Sequence, residues 1–443
     1  MSSPSHAAQR PPLDLRTRRD RSRQRLPDGP ALPTPVQTFL AWHHTERLFS
    51  AARRRYGPIF TLRLAPWGRV VVVCERELVK SVFTGDAATL HAGEGNALLA
   101  PVLGERSVLV LDEQEHLRAR KRLLAPFHGE VVRRYEDTVK RIVTEEIEHW
   151  PLGRPFALHP RMRAITLEVI LKAVIGVSNP ERLAALRAVL PRTAAVDPTI
   201  MAMWVIPSLG RTGPWRAYRR NLAAANRLLR AEISERRRDG RLDERQDVLS
   251  QLVHAGETDE RELRDQIMTL LMAGHETSAT GLAWTFERLL RHPHVHARAR
   301  RGEEEYLDAV IHETLRVRPV IAAVLRQLKA PITLGEHTIP AGVTVMPAIT
   351  LVHSDPGVYP EPERFRPERV LEGNAGDTYT WIPFGGGRRR CLGAAFANTE
   401  MRVALRTILQ RTRLRADRPA DEKVKNHHIT LVPARGARAV REA

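Results

Sequence analysis

The spacing of apolar residues predicts a chain that is mostly helical through its middle and richer in strands toward both ends. Helical periodicity dominates from His116 to Arg301 and is broken at Pro151, at Pro191 and over 207–214. Short β-like runs lie at 59–64, 69–74, 332–334, 337–339, 343–346 and 429–432. We therefore expect a mainly α fold with a smaller β-rich part, of the α+β class.

Individual segments can be assigned from the same pattern. We expect helices over 39–56 and 75–83, a helix from Pro214 toward Gly240, and a long one from about Arg261 to Leu290. The stretch from His91 to Gly104 is rich in Gly and Leu and is predicted to be irregular. The proline-rich segment 26–35 is expected to be extended.

The first 25 residues differ from the rest of the chain. They contain seven arginines and almost no large apolar residues, so they cannot bury a core, and we expect a disordered tail. Arg18 and Arg19 form a twin-arginine pair, but no apolar stretch follows, so export is not expected. Residues 26–443 are predicted to form a single domain.

Composition narrows the class of protein. No run approaches the eighteen or so apolar residues that span a membrane, and two cysteines, Cys74 and Cys391, cannot build a disulfide framework. A reducing, cytoplasmic location is therefore expected. The net charge of +19 raises the alternative of a nucleic-acid-binding protein, but the basic residues are spread through helical segments without a binding signature.

The strongest chemical signal is the segment Trp381-Ile-Pro-Phe-Gly-Gly-Gly-Arg-Arg-Arg-Cys391-Leu-Gly. Its glycines allow a tight turn and a close approach to a flat partner. The helix that begins after Cys391 and the adjacent arginines favour a sulfur anion. A thiolate held in this way can be the axial ligand of a haem iron. The alternative is a glycine-rich loop around a core cysteine.

This segment resembles the haem-ligand loop of the cytochrome P450 family. The family pattern Phe-x-x-Gly-x-Arg-x-Cys-x-Gly is matched by Phe384, Gly387, Arg389, Cys391 and Gly393. The resemblance covers roughly residues 26–435. It implies the cytochrome P450 fold, with haem b (iron protoporphyrin IX) held between two helices and Cys391 as the ligand of the iron.

A second motif lies inside the long helix predicted over 261–290. Glycine in a helix interior lowers helix stability by about 1 kcal/mol relative to alanine. The presence of Gly274, next to Ala273 and close to Glu276 and Thr277, therefore needs an explanation. The Thr277 hydroxyl is expected to bond the carbonyl of Ala273. The motif resembles the family's Ala-Gly-x-Asp/Glu-Thr, which implies space for dioxygen at Ala273, Thr277 as the donor on the oxygen side and Glu276 as the proton-relay acid. The alternative is an N-cap-like Thr and a surface Glu.

The resemblance implies roles for two further groups of residues. Glu313 and Arg316 match the family's Glu-x-x-Arg helix, and the later arginine of this structural cluster is Arg369, with Arg364 also eligible.

The second set comprises the cations expected to bind the haem propionates, which are His116, Arg120, Arg326 and Arg389.

The resemblance implies a haem-thiolate monooxygenase that inserts one oxygen atom from dioxygen into a hydrophobic molecule such as a fatty acid, steroid or terpenoid. The alternative is the same fold acting as a peroxygenase or as a redox-independent isomerase or dehydratase. Glu276 and Thr277 favour the monooxygenase, because an enzyme that starts from peroxide needs no proton relay. Suggested pocket positions are 320–324, Ala273 and Ile429. The segment from about Val196 to Gly213 is implied to be a mobile roof.

Electrons are expected to come from a separate protein, since the two cysteines cannot hold an iron–sulfur cluster and no flavin-binding segment is present. An acidic ferredoxin or flavodoxin is the implied partner. Its predicted docking patch consists of Arg118, Lys121, Arg122, Arg388 and Arg390. The alternative is that these are ordinary solvated arginines.

Overall fold

The computed structural model describes residues 26–124, 135–193, 200, 207–256 and 259–442. The N-terminal tail and most of the expected roof over 196–213 lie outside the described residues.

Helices make up most of the described chain. In chain order they are α1 (Thr34–His43), α2 (Thr45–Tyr56), α3 (Arg76–Thr84), α4 (Ala92–Gly95), α5 (Ala100–Leu103), α6 (Glu113–Leu124), α7 (Glu136–Glu148), α8 (Leu158–Val169), α9 (Pro180–Thr193), α10 (Gly213–Arg238), α11 (Val248–His254), α12 (Glu260–Leu289), α13 (Pro293–Ala299), α14 (Glu304–Val317), α15 (Ile349–His353), α16 (Glu368–Leu371) and α17 (Ala394–Arg411). A π-helical turn, Ile170–Val174, extends α8.

The strands are short and cluster near the two ends of the chain. They are β1 (Ile59–Leu64), β2 (Gly68–Val73), β3 (Leu90–His91), β4 (Pro155–Ala157), β5 (Arg326–Leu328), β6 (Ile332–Leu334), β7 (His337–Ile339), β8 (Thr344–Pro347), β9 (Leu414–Ala416), β10 (Val424–His427), β11 (Thr430–Pro433) and β12 (Arg438–Arg441). The largest sheet has the order β1-β2-β8-β5-β3, in which only the β2–β8 pair is parallel. The other sheets are β4-β12-β9, β6-β7 and β10-β11.

The apolar side chains form two clusters. The larger one lies among the helices and includes the buried residues of α8, α12, α14 and α17. The smaller one surrounds the five-stranded sheet and includes Val70 to Val73, all fully buried. The α+β expectation is thus confirmed, with the helical body and the β-rich part each built around its own apolar cluster.

The long helix α12 is the centre of the helical body. Asp259 caps its N-terminus by accepting a hydrogen bond from the Glu262 N–H, which satisfies one of the free amides of the first turn. The helix packs along α8 and also against α10, α14, α17 and β11. The range expected from the sequence, about Arg261 to Leu290, agrees with its observed bounds to within one residue at each end.

Four local predictions were wrong. The helix expected over 39–56 is two helices separated at His44, whose backbone leaves the helical region (φ −140°). Helix α1 already begins at Thr34, because Pro35 fits the first helical turn, where no amide donor is needed. Pro191 does not break α9, which ends two residues later. The segment 91–104 contains β3, α4 and α5.

Candidate active site

In the loop before Cys391, glycine is favoured for two physical reasons, a positive φ angle and the close approach of α3. Gly387 has φ +62°, and a Cβ atom there would lie 1.9 Å from the carbonyl oxygen of Phe83 in α3. Gly386 likewise faces the ring of Phe83, at 2.2 Å. At these two glycines, close packing against α3 leaves no room for a Cβ atom. Gly393 differs from them. Its φ of −87° suits any residue, and a Cβ atom there would meet no described protein atom within 4 Å.

Cys391 lies at the start of α17. Its backbone N–H donates to the Phe384 carbonyl (2.9 Å), and Gly393 is the N-cap of the helix. The Cys391 side chain is exposed, yet surrounding protein desolvates it and raises the pKa of its thiol, against the Gly393 N–H and the charges of Arg120 and Arg390, which lower it. Both observations fit a side chain at the wall of an internal space.

Two histidines, one half-buried and one fully buried, hold the beginning of this loop. Trp381 stacks on His312 of α14, with ring centroids 3.8 Å apart and an interplanar angle of 6°. The Ile382 N–H donates to His353 Nε2 (2.9 Å). Burial, together with the charge of Arg316, lowers the pKa of His312 to about 4 and that of His353 to about 3, so both rings are neutral near pH 7. Sequence reasoning missed these anchors because only the tertiary fold brings them to the loop.

The four predicted propionate-binding cations are gathered in one cluster. His116, Arg326 and Arg389 line a common cleft. Burial and the charges of Arg389, Arg120 and Arg326 lower the pKa of His116 to about 3. Burial, with neighbouring cations, also lowers the pKa values of Arg326 and Arg389 to about 10. Arg389 donates to Asp112, but the cluster still has a surplus of positive charge. It is suited to bind an anionic group.

The motif in α12 places its members on different faces of the helix. Ala273 is exposed and Thr277 partly exposed in the middle of an otherwise buried helix, and the Thr277 hydroxyl donates to the Ala273 carbonyl (2.7 Å), as expected. A Cβ on Gly274 would lie 2.5 Å from Ile170 Cδ1. The glycine therefore allows α12 to pack against the end of α8, and the accessible space lies beside Ala273 and Thr277.

Glu276 points toward α8 and is surrounded by cationic or ionisable groups. Its Oε2 lies 2.7 Å from Arg163 Nε, and its Oε1 lies 3.4 Å from His159 Nε2 and 3.5 Å from His427 Nδ1. Burial raises the pKa of Glu276, but the two imidazoles and the charge of Arg163 outweigh it and hold the pKa far below its ordinary range. Glu276 is therefore ionised and is not the surface residue of the alternative interpretation.

The partners of Glu276 were not found from the sequence. His159 and Arg163 are four residues apart, so they share a face of α8. That pattern is visible in the sequence, but nothing local indicates which helix the face meets. His427 reaches the site because Leu431 N–H donates to the Val320 carbonyl (2.8 Å), which holds the β10–β11 hairpin against residues 320–324. Ile429, at the tip of this hairpin, is 55% exposed.

The buried ionic cluster forms around Glu313. Both carboxylate oxygens accept from Arg316 at 2.7 Å, and Arg369 Nε lies 3.5 Å from Oε1. The three side chains are at most 3% exposed. Arg364 contributes its carbonyl to Arg316, while its own guanidinium pairs with Glu361 at the surface. The structure thus places Arg369, and not the Arg364 side chain, beside Glu313.

Comparison with known proteins identifies the family. The family model described as Cytochrome P450 matches residues 27–438. The chain is 46% identical over 428 residues to the Mycobacterium tuberculosis protein named cytochrome P450 135B1, which covers 93% of this chain and 90% of that protein. It is 38% identical to cytochrome P450 137 of the same organism, over 95% of this chain and 92% of that one. The chain belongs to the cytochrome P450 family.

Solved P450 structures share the fold. The retinoic-acid-bound cyanobacterial CYP120A1 aligns with a TM-score of 0.80 at 24% identity, covering 94% of this chain and 99% of that one. CYP175A1 from Thermus thermophilus aligns with a TM-score of 0.74 at 26% identity, over 90% and 95% of the two chains. The cytochrome P450 fold predicted from the motifs is therefore confirmed, as are an oxidoreductase of the haem-thiolate monooxygenase type and haem b as its cofactor.

The residues of this P450 fit haem b. The surplus positive charge around His116, Arg326 and Arg389 matches the two propionate carboxylates of this cofactor. Cys391 is accessible and lies at a helix N-terminus. Iron binding deprotonates a coordinating thiol outright, so the raised pKa of Cys391 does not oppose ligation. The open space at Gly393 is consistent with a flat group close to the backbone.

The docking patch predicted for this P450 is only partly available. Arg118, Lys121, Arg388 and Arg390 are exposed. Arg122 is half-buried and forms an ion pair with Glu262 of α12, so its assignment to the patch was wrong. None of the described helices is both long and apolar enough to cross a membrane.

Proposed function

We propose that this P450 inserts one oxygen atom from dioxygen into a hydrophobic small molecule, and that the Cys391 thiolate would hold the haem iron. When bound, the haem supplies an iron at which dioxygen binds and is reduced. His116, Arg120, Arg326 and Arg389 bind the propionates, and Phe384, Gly387 and Gly393 shape the loop. The observation that carries the proposal is the cation cluster with surplus charge beside an accessible thiol.

The axial ligand is tested by Cys391→Ser. We expect the variant to lose the carbon monoxide spectrum typical of a thiolate ligand, because a hydroxyl is a poor electron donor to iron. Cys74→Ser is the matched control, since Cys74 is buried and donates to the Pro58 carbonyl (3.3 Å) in the other apolar cluster. A thiolate spectrum that survives in Cys391→Ser would overturn the assignment.

In the proposed reaction Thr277 and Glu276 act on different faces of α12. The Thr277 hydroxyl lies on the accessible face with Ala273 and donates its single proton to the Ala273 carbonyl (2.7 Å); rotated away from that carbonyl, it would donate the proton into the accessible space. Glu276, ionised and held by Arg163, passes protons toward it from the interior of the protein. This division of roles supports a dioxygen-dependent reaction over a peroxide-dependent or redox-independent one.

The substrate is proposed to be a fatty acid, steroid or terpenoid. The partly exposed residues 321–324, the exposed Ala273 and the 55% exposed Ile429 are apolar, and the hairpin contact to Val320 brings two of these segments together. A screen that follows the spin state of the iron tests this proposal, and retinoic acid, which CYP120A1 binds, belongs in it. Spin shifts with small polar molecules and none with these three classes would refute it.

An acidic ferredoxin or flavodoxin is proposed as the electron donor, docking at Arg118, Lys121, Arg388 and Arg390. Electrostatic steering of this kind speeds association and weakens as salt screens it. Arg118→Glu with Arg388→Glu should slow reduction at low salt and leave substrate binding intact.

The matched control for the docking surface reverses Lys423 and Lys425, two exposed cations at the β10 hairpin, which packs against α1. Equal reduction rates for the wild type and the Arg118/Arg388 variant would exclude docking at this patch. Docking there would also be excluded if the Lys423/Lys425 control slowed reduction as much as the Arg118/Arg388 variant does.

A further inference from the structure

The first helix, α1, reverses the usual arrangement of a surface helix. Among its ten residues Gln37 alone is buried, whereas Val36 and Phe39 are 42% and 56% exposed. Val36 and Phe39 are three residues apart and therefore share one side of the helix, and Leu32, four residues before Val36, is 41% exposed. A surface helix ordinarily turns its apolar stripe toward the core. We call the three exposed apolar side chains the α1 face.

The polar contacts of Gln37 fix this orientation. Its Nε2 donates to the carbonyls of Pro30 (3.0 Å) and Leu32 (2.7 Å). Its Oε1 accepts from the backbone N–H of Arg63 in the edge strand β1 (2.9 Å). Gln37 thus ties α1 to the sheet through a polar side chain, and the α1 face is held toward solvent.

Such a group of apolar side chains is unusual on this surface. Six large apolar side chains are exposed in the described part of the chain, and three of them form the α1 face. The other three, Leu152, Leu371 and Ile429, are far apart in the sequence and lie outside α1. Single exposed apolar residues are normal, but a group of them marks a surface that meets an apolar partner.

The surroundings of the α1 face are basic. Arg63 and Arg69 stand directly opposite each other in the β1–β2 pair, both are exposed, and neither forms an ion pair with a described residue. Like charges in this position repel each other, and an anion between them would remove the repulsion. Arg63 also donates to the Leu32 carbonyl (3.3 Å), so the pair borders the α1 face. The acids nearest in sequence, Asp28 and Glu46, are exposed single charges.

Most of the positive charge precedes the described chain. Residues 16–25 contain six arginines and one aspartate, and six residues separate this run from Leu32. Each arginine near an anionic bilayer strengthens binding roughly fivefold. A basic run beside an apolar helix face provides the two signals that peripheral membrane proteins combine, because one signal alone gives only marginal binding.

We propose that the α1 face and the arginines of residues 16–25 bind this protein reversibly to the surface of an anionic lipid bilayer. Helix α1 lies in the plane of the interface, with its apolar face at the acyl boundary, and the arginine run, Arg63 and Arg69 bind lipid phosphates. A bilayer supplies apolar and anionic groups together. A second copy of the chain fits less well, because two such surfaces would bring their like charges together.

The apolar signal is tested by co-sedimentation of the holoprotein, with residues 1–443, and lipid vesicles. The vesicles are phosphatidylcholine with about one third phosphatidylglycerol, or phosphatidylcholine alone. Val36→Ser with Phe39→Ser removes the apolar signal. The matched control, Leu152→Ser with Leu371→Ser, removes exposed apolar side chains outside the α1 face. Haem absorbance and the melting temperature show whether each variant is folded.

The arginine run is tested in the same assay. Four of its members are replaced together, by Arg18→Gln, Arg19→Gln, Arg21→Gln and Arg23→Gln. The matched control removes the same charge from four exposed arginines that form no ion pair with a described residue, by Arg301→Gln, Arg411→Gln, Arg413→Gln and Arg418→Gln.

We expect the wild type to bind the anionic vesicles about tenfold more tightly than the neutral ones, or better, and less tightly as salt screens the arginines. Val36→Ser with Phe39→Ser should weaken binding about tenfold, because roughly half of each side chain is still available for burial. Loss of the four tail arginines should weaken it roughly a hundredfold or more. Both controls should bind as the wild type does.

The proposal is overturned if either variant binds like its matched control, if the wild type binds both kinds of vesicle equally, or if it binds neither. Sedimentation velocity without lipid tests the other occupant. A wild-type dimer that Val36→Ser with Phe39→Ser dissociates would assign the α1 face to a second copy of the chain and overturn the proposal. None of these measurements involves turnover, so their outcome is independent of the proposed reaction.

Discussion

Replacing Glu313 by Gln is expected to be among the most destabilising single changes in the helical body. The carboxylate is fully buried and accepts two hydrogen bonds from Arg316 and one from the Arg366 N–H (3.1 Å). Glutamine keeps the shape but removes the charge, and Arg316 and Arg369 then remain buried without a counterion. Breaking a buried ion pair in this way costs about 3–5 kcal/mol.

The lower end of that range applies here. Arg316 also donates to the carbonyls of His353, Pro362 and Arg364 at 2.8–3.0 Å, so its hydrogen bonds are largely kept when the charge of Glu313 is lost. An unfolding entropy of about 2.1 cal/mol/K per residue over 443 residues gives roughly 0.9 kcal/mol/K. A loss of about 3 kcal/mol should therefore lower the melting temperature by about 3 °C.

The assay is thermal unfolding of the holoprotein, followed by circular dichroism and by haem absorbance. Glu361→Gln is the control, because the Glu361–Arg364 pair has the same chemistry at 3.0 Å but is more than half exposed. Exposed pairs contribute little, so the control should melt within about 1 °C of the wild type. Equal melting temperatures for Glu313→Gln and the control would refute the assignment of Glu313 as a structural clamp.

Three further outcomes follow from the site. Thr277→Ala should bind haem and substrate normally but release much of its reducing power as peroxide, and normal coupling of electrons to product would exclude the proposed role of its hydroxyl. Gly387→Ala should lose haem and melt at a lower temperature, because its Cβ would meet the Phe83 carbonyl at 1.9 Å, and an unchanged haem content and melting point would contradict this packing. Because the pKa of His353 falls from about 6.5 unfolded to about 3 folded, stability should be lost as the pH drops below about 6.5, by about 2 kcal/mol from this residue at pH 5. His353→Gln should then show a smaller drop in melting temperature between pH 7 and pH 5, and an equal drop would refute the assignment.

The sequence was most informative where the pattern is local. The bounds of α12 were expected to within one residue, and the Thr277 hydrogen bond to Ala273 follows from their four-residue spacing. The Cys391 loop was recognisable because its residue types stand at fixed separations. In each case a few turns of backbone determine the geometry, so no knowledge of distant neighbours was needed.

Tertiary contacts set the limit of such reasoning. The choice of Arg369 over Arg364 depends on which side chain turns inward about 50 residues after Glu313, and their local sequences are nearly the same. Arg122 belongs to a basic run, but Glu262 of another helix neutralises it. Charge patterns show which residues can pair, whereas only the packing of helices shows which ones do.

The glycines of the two P450 motifs show why a matched pattern does not by itself explain its residues. Gly387 has no room for a side chain because the backbone carbonyl of Phe83 lies against it, so protein packing alone requires glycine there, whereas at Gly274 the close atom is the terminal Cδ1 of Ile170, a side chain that can shift. Gly393 has neither a crowded Cβ position nor a positive φ, so nothing in the described protein requires glycine at that position. A haem held by the thiol of Cys391, two residues earlier, would lie close to this backbone and would itself leave no room for a side chain at Gly393. Substituting Gly393 should therefore impair haem binding more than folding, whereas substituting Gly387 should impair both.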